Sequence, residues 1–194
     1  MRTRLFVLVL SFALAFPAVG QEIRRAGKIP VVAGVRAPAF GPLPILNRDG
    51  SGRTHLTFDG PAADDGRVVL ISFFALWCAG CVNEMPMLAE LQRSYGERGL
   101  QVITVDIDPA GADLSRLRSL LSASRVTYPV VADPEQGVLR QYQGQMTSLP
   151  AVYLVGPDGR VALVHEGFDA EVGPSLKALL DRLLPPQHAE RHLD

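Results

Sequence analysis

This chain of 194 residues has few cysteines, no marked excess of positive or negative charge, and no repeated sequence. Cys78 and Cys81 are its only cysteines, which excludes a framework of several disulfides. Its formal net charge is -1, so electrostatics gives no reason to expect nucleic acid or an anionic membrane as a partner. Internal repeats and low-complexity tracts are lacking as well. Hydrophobic residues make up 47% of the chain, which is ordinary for a globular protein with a real core.

Metal-ligand patterns are also lacking. The chain has four histidines, at His55, His165, His188 and His192. They show no ligand spacing among themselves or with the cysteines, whereas a structural zinc site needs four ligands at characteristic spacings. Val82 follows Cys81, which excludes the C-x-x-C-H pattern of haem attachment. The sequence therefore predicts no metal and no cofactor beyond a redox-active disulfide.

The first 20 residues differ from the rest of the chain. Arg2 and Arg4 precede the apolar run Leu5 to Phe16, and small residues follow it up to Gly20. This order is typical of a secretory signal, and the run is short for a bilayer span, which needs about 20 residues. We expect cleavage after Gly20, with an uncleaved membrane anchor as the alternative. The mature chain should then act in the periplasm or otherwise outside the cytoplasm, where disulfides persist.

The two cysteines lie in the stretch around which the chain is organised. Val68 to Ala75 is β-branched, aromatic and apolar on both faces, which predicts a central, buried strand. A helix-compatible segment begins at the cysteines. The unpaired N–H groups and the dipole of that helix should lower the pKa of the Cys78 thiol. Cys78 is therefore the predicted attacking thiol, and Cys81, one turn further on, is the predicted resolving thiol.

A structural staple is the alternative for this cysteine pair. A disulfide that closes so short a loop contributes only about 2 kcal/mol by the loop-closure formula. Disulfides that act as staples usually link distant segments. The position of the pair directly after a strand favours redox chemistry.

The flanking patterns predict one α/β domain at residues 41–185, after a linker at 21–40 and before a polar tail at 186–194. The lead-in is rich in proline and glycine and reads as irregular as far as Leu46. The predicted strands are 54–58, 68–75, 100–106, 128–131, 151–155 and 160–164, the last two forming a hairpin. The predicted helices follow Cys81, Asp113 and Asp133 and carry Leu176, Leu179, Leu180 and Leu183. This order indicates a mixed sheet with helices on both faces.

Three motifs resemble the thioredoxin superfamily over roughly residues 35–185. They are Trp77 to Cys81 after a buried strand, Pro86 five residues beyond Cys81, and Leu149-Pro150 before a strand. Glu84 and Pro86 match the C-x-x-E-x-P pattern of the extracytoplasmic TlpA/ResA group, whose domain is of the AhpC/TSA-Redoxin type. The long segment between Asp106 and Pro150 agrees with that group. The resemblance implies a three-layer thioredoxin-like fold with an inserted helix–strand–helix segment.

The resemblance also implies roles for individual residues. Ser72 stands where thioredoxin has a buried aspartate, so Glu84 is the candidate base for Cys81; an exposed first-turn acid is the alternative. Trp77 would give the substrate an apolar surface, or would simply pack in the core. Pro150 would be cis and would present the backbone of Leu149 beside Cys78 to an extended substrate, or it would be an ordinary trans proline.

The resulting functional hypothesis is an extracytoplasmic thiol–disulfide oxidoreductase, most simply a reductase of protein disulfides in cytochrome c or copper-site maturation. A dithiol electron donor in the membrane and a monomeric state are expected. Two alternatives remain open: a peroxiredoxin-like peroxidase with antioxidant activity, and a protein that uses the same fold to bind a metal or a partner. Thr147, Ser148, Asp106 and Asp108 are either near the site or ordinary loop and cap residues.

Overall fold

The computed structural model describes residues 32–60, 67–145 and 147–186. The predicted signal at 1–20, the first part of the linker and nearly all of the polar tail lie outside these residues. Among the described residues, none of the helices has the length and the apolar character that a bilayer crossing requires.

The described residues form two sheets and four α-helices. The strands are β1 Phe40–Pro44, β2 His55–Phe58, β3 Val68–Phe74, β4 Leu100–Asp106, β5 Val130–Ala132, β6 Ala151–Val155 and β7 Val161–Glu166. The helices are α1 Ala79–Tyr95, α2 Leu114–Ala123, α3 Gly137–Gln143 and α4 Val172–Leu183, with a 3₁₀ turn at Gly96–Arg98. The predicted helix–strand–helix segment is present as α2, β5 and α3.

The main sheet has five strands in the order β5-β4-β3-β6-β7. β3 pairs parallel with β4, β4 pairs parallel with β5, and β6 runs antiparallel to both β3 and β7. All seven residues of β3 are buried, because it is the central strand and both of its faces are covered. This confirms the predicted mixed thioredoxin-like sheet and places the cysteines just beyond the end of its central strand.

Helix α1 packs on this sheet through the predicted inward face. Met85, Leu88, Leu91 and Tyr95 are all buried. The helix continues through Pro86, whose missing N–H would otherwise have bonded the carbonyl of Val82 one turn earlier. The last helix, α4, buries Leu176 and Leu180, and Leu179 and Leu183 pack partly buried against the same core.

The lead-in differs from the predicted irregular segment. Phe40–Pro44 forms β1 and pairs antiparallel with β2, with a register shift between Phe40 and Leu43. The Gly41-Pro42 peptide bond is cis. Upstream, the N–H of Gly34 donates to Val161 O at 2.8 Å, so residues 34–40 already contact the domain. Proline and glycine obscure this strand in the sequence because they are depleted in regular strands.

Helix α3 begins later than the sequence predicts. Asp133 does cap it, but its carboxylate accepts the N–H groups of Gly137, Val138 and Leu139 at 2.9–3.0 Å. Gln136, immediately before the helix, has φ 53°. Pro134 is therefore not the first residue of the helix; it lies in the turn between the capping side chain and the helix.

Candidate active site

The two cysteines form a disulfide at the start of α1. Cys78 is the N-cap, and its Sγ accepts the N–H of Cys81 at 3.1 Å. Cys78 is 7% exposed and Cys81 is 2% exposed, so both are buried and Cys78 is the more exposed residue of the pair. The Sγ of Cys81 lies 3.9 Å from the carbonyl oxygen of Phe73 on β3. This arrangement gives the two sulfurs different surroundings, one at the surface end of the helix and one against the sheet.

Two buried aspartates support the turn that carries Cys78. The N–H of Cys78 donates to Ala75 O at 3.0 Å, which closes the turn. Inside it, the N–H of Leu76 donates to Asp108 Oδ2 at 2.8 Å, and Asp108 N–H donates to Asp106 Oδ1 at 3.1 Å. Burial raises the pKa of Asp106 to about 7; the bond from Asp108 N–H opposes this rise and the Asp108 carboxylate adds to it. Asp108 thus holds the turn that carries Cys78 through a direct hydrogen bond to its backbone.

Glu84 is buried on α1, one helical turn after Cys81. It is 1% exposed, so the alternative of an exposed first-turn acid is wrong. Ser72 Oγ donates to Glu84 Oε2 at 3.0 Å. Burial raises the pKa of Glu84 to about 7, and the Ser72 hydrogen bond opposes the rise. Ser72 and Phe73 are neighbours on β3, so adjacent residues of one strand contact the carboxyl group and the inner sulfur.

Sequence reasoning missed two further buried hydroxyl groups near Glu84. Thr104 on β4 pairs in register with Ser72, and its Oγ1 has no hydrogen-bond partner among the described residues. The hydroxyl of Tyr128 is likewise buried and unpartnered in the described part of the chain. Burial raises the pKa of Tyr128, and the nearby Glu84 carboxylate adds to this effect. The sequence held one sign of this polar cluster: Ser72 and Thr104 are polar residues within two otherwise apolar strands, and they pair with each other in the sheet.

The rim of the site is apolar and formed by separate loops. Trp77 is 66% exposed, so it does not pack in the core. The Leu149-Pro150 peptide bond is cis, as predicted, and Leu149 is half-buried. A Cβ built on Gly80 would lie 3.0 Å from Pro150 Cδ and 3.3 Å from Phe168 Cβ. Glycine between the cysteines therefore lets the proline loop and Phe168 approach the disulfide closely.

Gln143 fixes the loop that carries the cis-proline, and sequence reasoning missed it. Its Oε1 accepts the N–H of Ser148 at 2.9 Å, and its Nε2 donates to the carbonyl oxygen of Ser148 at 2.8 Å. Ser148 is thus a residue of this support, while Thr147 is exposed. Among residues 32–60, 67–145 and 147–186, the structure holds no group of three or more histidine, cysteine or acidic side chains arranged for a metal ion.

A cysteine pair at a helix start, a central strand of a mixed five-strand sheet and an adjacent cis-proline define a thioredoxin-like protein. Residues 36–164 match the AhpC/TSA family, and the chain belongs to that family.

Named relatives agree with this assignment. The chain is 26% identical over 169 residues to the thiol-disulfide oxidoreductase ResA of Bacillus subtilis, covering 86% of this chain and 87% of that protein. It is 28% identical over 167 residues to ResA of Geobacillus thermodenitrificans, covering 86% of each chain.

Solved structures show the same fold. A putative thiol:disulfide interchange protein DsbE from Chlorobium tepidum superposes with a TM-score of 0.64 at 25% identity, covering 79% of this chain and 98% of that one. A putative protein disulfide isomerase from Bacteroides thetaiotaomicron has a TM-score of 0.67 at 22% identity, covering 84% and 95%. This second structure supports the fold alone.

Proposed function

We propose that this thiol–disulfide oxidoreductase works as a reductase of protein disulfides outside the cytoplasm. One observation carries the proposal: Cys78 and Cys81 are bonded at a helix start, Cys78 is the more exposed of the two, and Glu84, one turn further along the same helix, is a buried carboxyl group. A structural staple would need neither a buried proton acceptor nor an apolar rim. The two sulfurs, the carboxyl and the rim together supply each group that thiol–disulfide exchange requires.

The first step uses the outer sulfur. In the reduced protein, the Cys78 thiolate attacks one sulfur of the substrate disulfide. The substrate S–S bond breaks, a bond from Cys78 to that sulfur forms, and the other substrate sulfur leaves as a thiolate that takes up a proton. The N–H of Cys81, which already donates to Cys78 Sγ, and the helix dipole both stabilise the attacking thiolate.

The second step releases the substrate. The Cys81 thiol loses its proton, and the resulting thiolate attacks Cys78 Sγ, which displaces the second substrate sulfur. Glu84 is the proposed proton acceptor, because a carboxyl group with a pKa of about 7 changes its charge in the range where the exchange operates. The substrate gains two electrons and the cysteine pair becomes a disulfide. A dithiol donor must then reduce the pair again.

Substrate binding would use the rim. Leu149, which precedes the cis Pro150, can present its backbone to an extended segment of the substrate, and the exposed Trp77 adds apolar surface beside Cys78. The proposed substrates are protein disulfides, such as those that arise in cytochrome c or copper-site maturation, and the proposed donor is a dithiol protein of the membrane. A signal at residues 1–20 would direct the chain to the periplasm. The proposed oligomeric state there is a monomer.

Trapping the mixed disulfide tests this function. A Cys81→Ser variant lacks the resolving thiol, so we expect it to accumulate a covalent adduct with a disulfide-bonded substrate protein through Cys78. Non-reducing gel electrophoresis and mass spectrometry would detect the adduct, and reductant should release it. Cys78→Ser is the matched control and should form none. Equal adduct yields from the two variants, or peroxide consumption without any disulfide reduction, would contradict the assignment.

A further inference from the structure

A groove of about 310 Å³ lies between α1, at Asn83 and Met87, and the start of α4. Met87 from α1 and Phe168, Val172 and Gly173 from the α4 side give it apolar walls. The polar side chains among its lining residues, Asn83, Asp169 and Lys177, are exposed at its edge. The steps of thiol–disulfide exchange make no use of this groove.

The groove is continuous with the reacting disulfide. Gly80, Asn83 and Met87 follow one another at spacings of three and four residues, so they lie along one face of α1. Gly80 lies between the two cysteines, and a Cβ built on it would be 3.3 Å from Phe168 Cβ. At the other end, Met87 Cγ lies 3.6 Å from the position of a Cβ on Gly173. Phe168 therefore belongs both to the rim of the disulfide and to the wall of the groove.

We propose that this groove binds a bulky apolar side chain of the protein substrate, located about three residues from the cysteine that bonds to Cys78. This inference rests on the proposed function. A helix rises about 1.5 Å per residue, so Gly80 and Met87 are separated by roughly 10 Å along α1. An extended chain rises about 3.3 Å per residue, so roughly three residues of substrate span that distance.

The covalent bond of the mixed disulfide favours a substrate side chain as the occupant of the groove. Once a substrate is covalently attached to Cys78, the residues that flank its cysteine are held beside the groove at high effective concentration. An apolar side chain there leaves water for a site lined by Met87, Phe168 and Val172. A leucine or phenylalanine in place of a serine should lower KM about tenfold or more. Burying such a side chain contributes about 1.5–3 kcal/mol, which corresponds to roughly a ten- to hundredfold change in affinity.

Disulfide peptides test the position and chemistry of the occupant. In each peptide, a single leucine or serine is placed two, three or four residues from the reacting cysteine, on either side. We expect the reduced protein to show a lower KM for leucine at about the third position on one side, with kcat nearly unchanged. In the Phe168→Ser and Met87→Ser variants, the leucine and serine peptides should have equal KM values. Gly173→Leu, which fills the groove from the opposite wall, should have the same effect.

Leu114→Ser is the matched control. Leu114 is 41% exposed and Phe168 is 46% exposed, but Leu114 lies on α2, away from the groove, so this variant should keep the full preference. Equal KM values for all peptides with wild-type protein would overturn the groove proposal and leave the proposed function intact. A wild-type protein that reduces neither the peptides nor 2-hydroxyethyl disulfide would overturn the proposed function as well.

A second copy of the chain is the competing occupant. In that case, Phe168→Ser would change the sedimentation coefficient while the peptide preference persisted, and the substrate assignment would be wrong. Circular dichroism of each variant shows whether the fold is retained. If Phe168→Ser fails to fold, Gly173→Leu and Met87→Ser decide the outcome through the same peptide ratio.

Discussion

Glu84 illustrates, for a single residue, how a carboxyl group becomes useful through burial. It follows Cys81 by one helical turn, and its environment raises its pKa to about 7. An ordinary glutamate is almost fully ionised at neutral pH and accepts a proton weakly. Here the protonated and ionised forms are both populated near neutrality, which is the condition for efficient general acid–base catalysis. Cys81, the proposed proton donor to Glu84, is buried as well.

Replacing Glu84 with glutamine should slow the resolving step. Glutamine keeps the shape and can still accept the Ser72 hydrogen bond, but it cannot take the proton of Cys81. We expect a loss of about a hundredfold in the resolution rate and the loss of the rise in rate as pH passes through about 7. Rapid-mixing measurement of mixed-disulfide decay between pH 5 and 9 checks this. Glu90→Gln, an exposed carboxyl on the same helix, is the control, and an unchanged profile in Glu84→Gln would refute the role.

The same substitution should alter stability with a defined sign. Because the folded pKa of Glu84 lies above that of an unfolded glutamate, the unfolded chain loses its proton first as pH rises. The free energy of unfolding therefore falls between about pH 4.5 and pH 7, by about 3 kcal/mol from this group. Glu84→Gln should remove that part of the fall. Urea unfolding at pH 4 and pH 8 measures it; Asp106, whose pKa is also raised, keeps a separate contribution in both proteins.

Single residues also show where sequence reasoning succeeds. Cys78, Cys81 and Pro150 were recognisable because their local motifs are short and specific. The opposite holds for Asp108, which bonds Leu76 from 32 residues away, since nothing in the local sequence of either residue indicates the other. The buried state of Glu84 was also undetermined in the sequence, because an acidic residue near the start of a predicted helix is compatible with either face.

Among the secondary-structure elements, α3 links the sheet edge to the active-site rim. Asp133 caps this helix through three backbone N–H groups, and Gln143 at its last turn bonds both backbone groups of Ser148. The helix thereby holds the segment that leads into Leu149-Pro150. Its shifted start could not be predicted, because the capping side chain reaches four to six residues ahead instead of the usual two or three.

Gln143→Leu should weaken substrate binding more than chemistry. Leucine preserves the approximate volume but leaves the N–H and carbonyl of Ser148 without their partner, which costs about 1–3 kcal/mol when such groups are buried. We expect KM for a protein disulfide to rise severalfold while kcat changes little, since the cysteines are untouched. Steady-state reduction assays check this. Gln145→Leu, an exposed neighbour, should leave KM unchanged; a comparable rise in both variants would show that α3 does not position the loop.

For the whole molecule, the topology explains why the site lies where it does. β3 is central, so the chain that leaves it places the cysteines at the middle of the sheet, at the end where β3 and β4 finish. β4 lies beside β3 and runs parallel to it, so Asp106 and Asp108 lie at the same end. β6 runs antiparallel to β3, so its first residue follows the cis-proline at that end too. The order of strands and helices was predictable from apolar periodicity. The contribution of residues 34–44 was not, because proline and glycine mask their strand pattern.

Arg98, just after α1, joins the end of that helix to the end of α4. Its Nε donates to Pro185 O at 2.7 Å, its Nη1 pairs with Asp181 at 2.8 Å, and its Nη2 donates to Leu184 O at 3.4 Å. Its guanidinium carbon lies 4.8 Å from the centre of the Tyr95 ring. One side chain thus satisfies carbonyl groups beyond the end of α4 and connects them to the end of α1, the helix that carries the active site.

Arg98→Ala should therefore destabilise the protein well beyond a surface ion pair. Removing a fork that serves three acceptors and an aromatic face should lower the free energy of unfolding by about 2 kcal/mol. Arg98→Lys should recover less than half of it, because an ammonium group cannot match the planar fork. Arg93→Ala, which breaks an exposed pair with Glu90, is the control and should cost under about 0.5 kcal/mol. Urea unfolding at fixed pH measures all three, and equal losses for Arg98→Ala and Arg93→Ala would mean that the α1 and α4 ends do not depend on this contact.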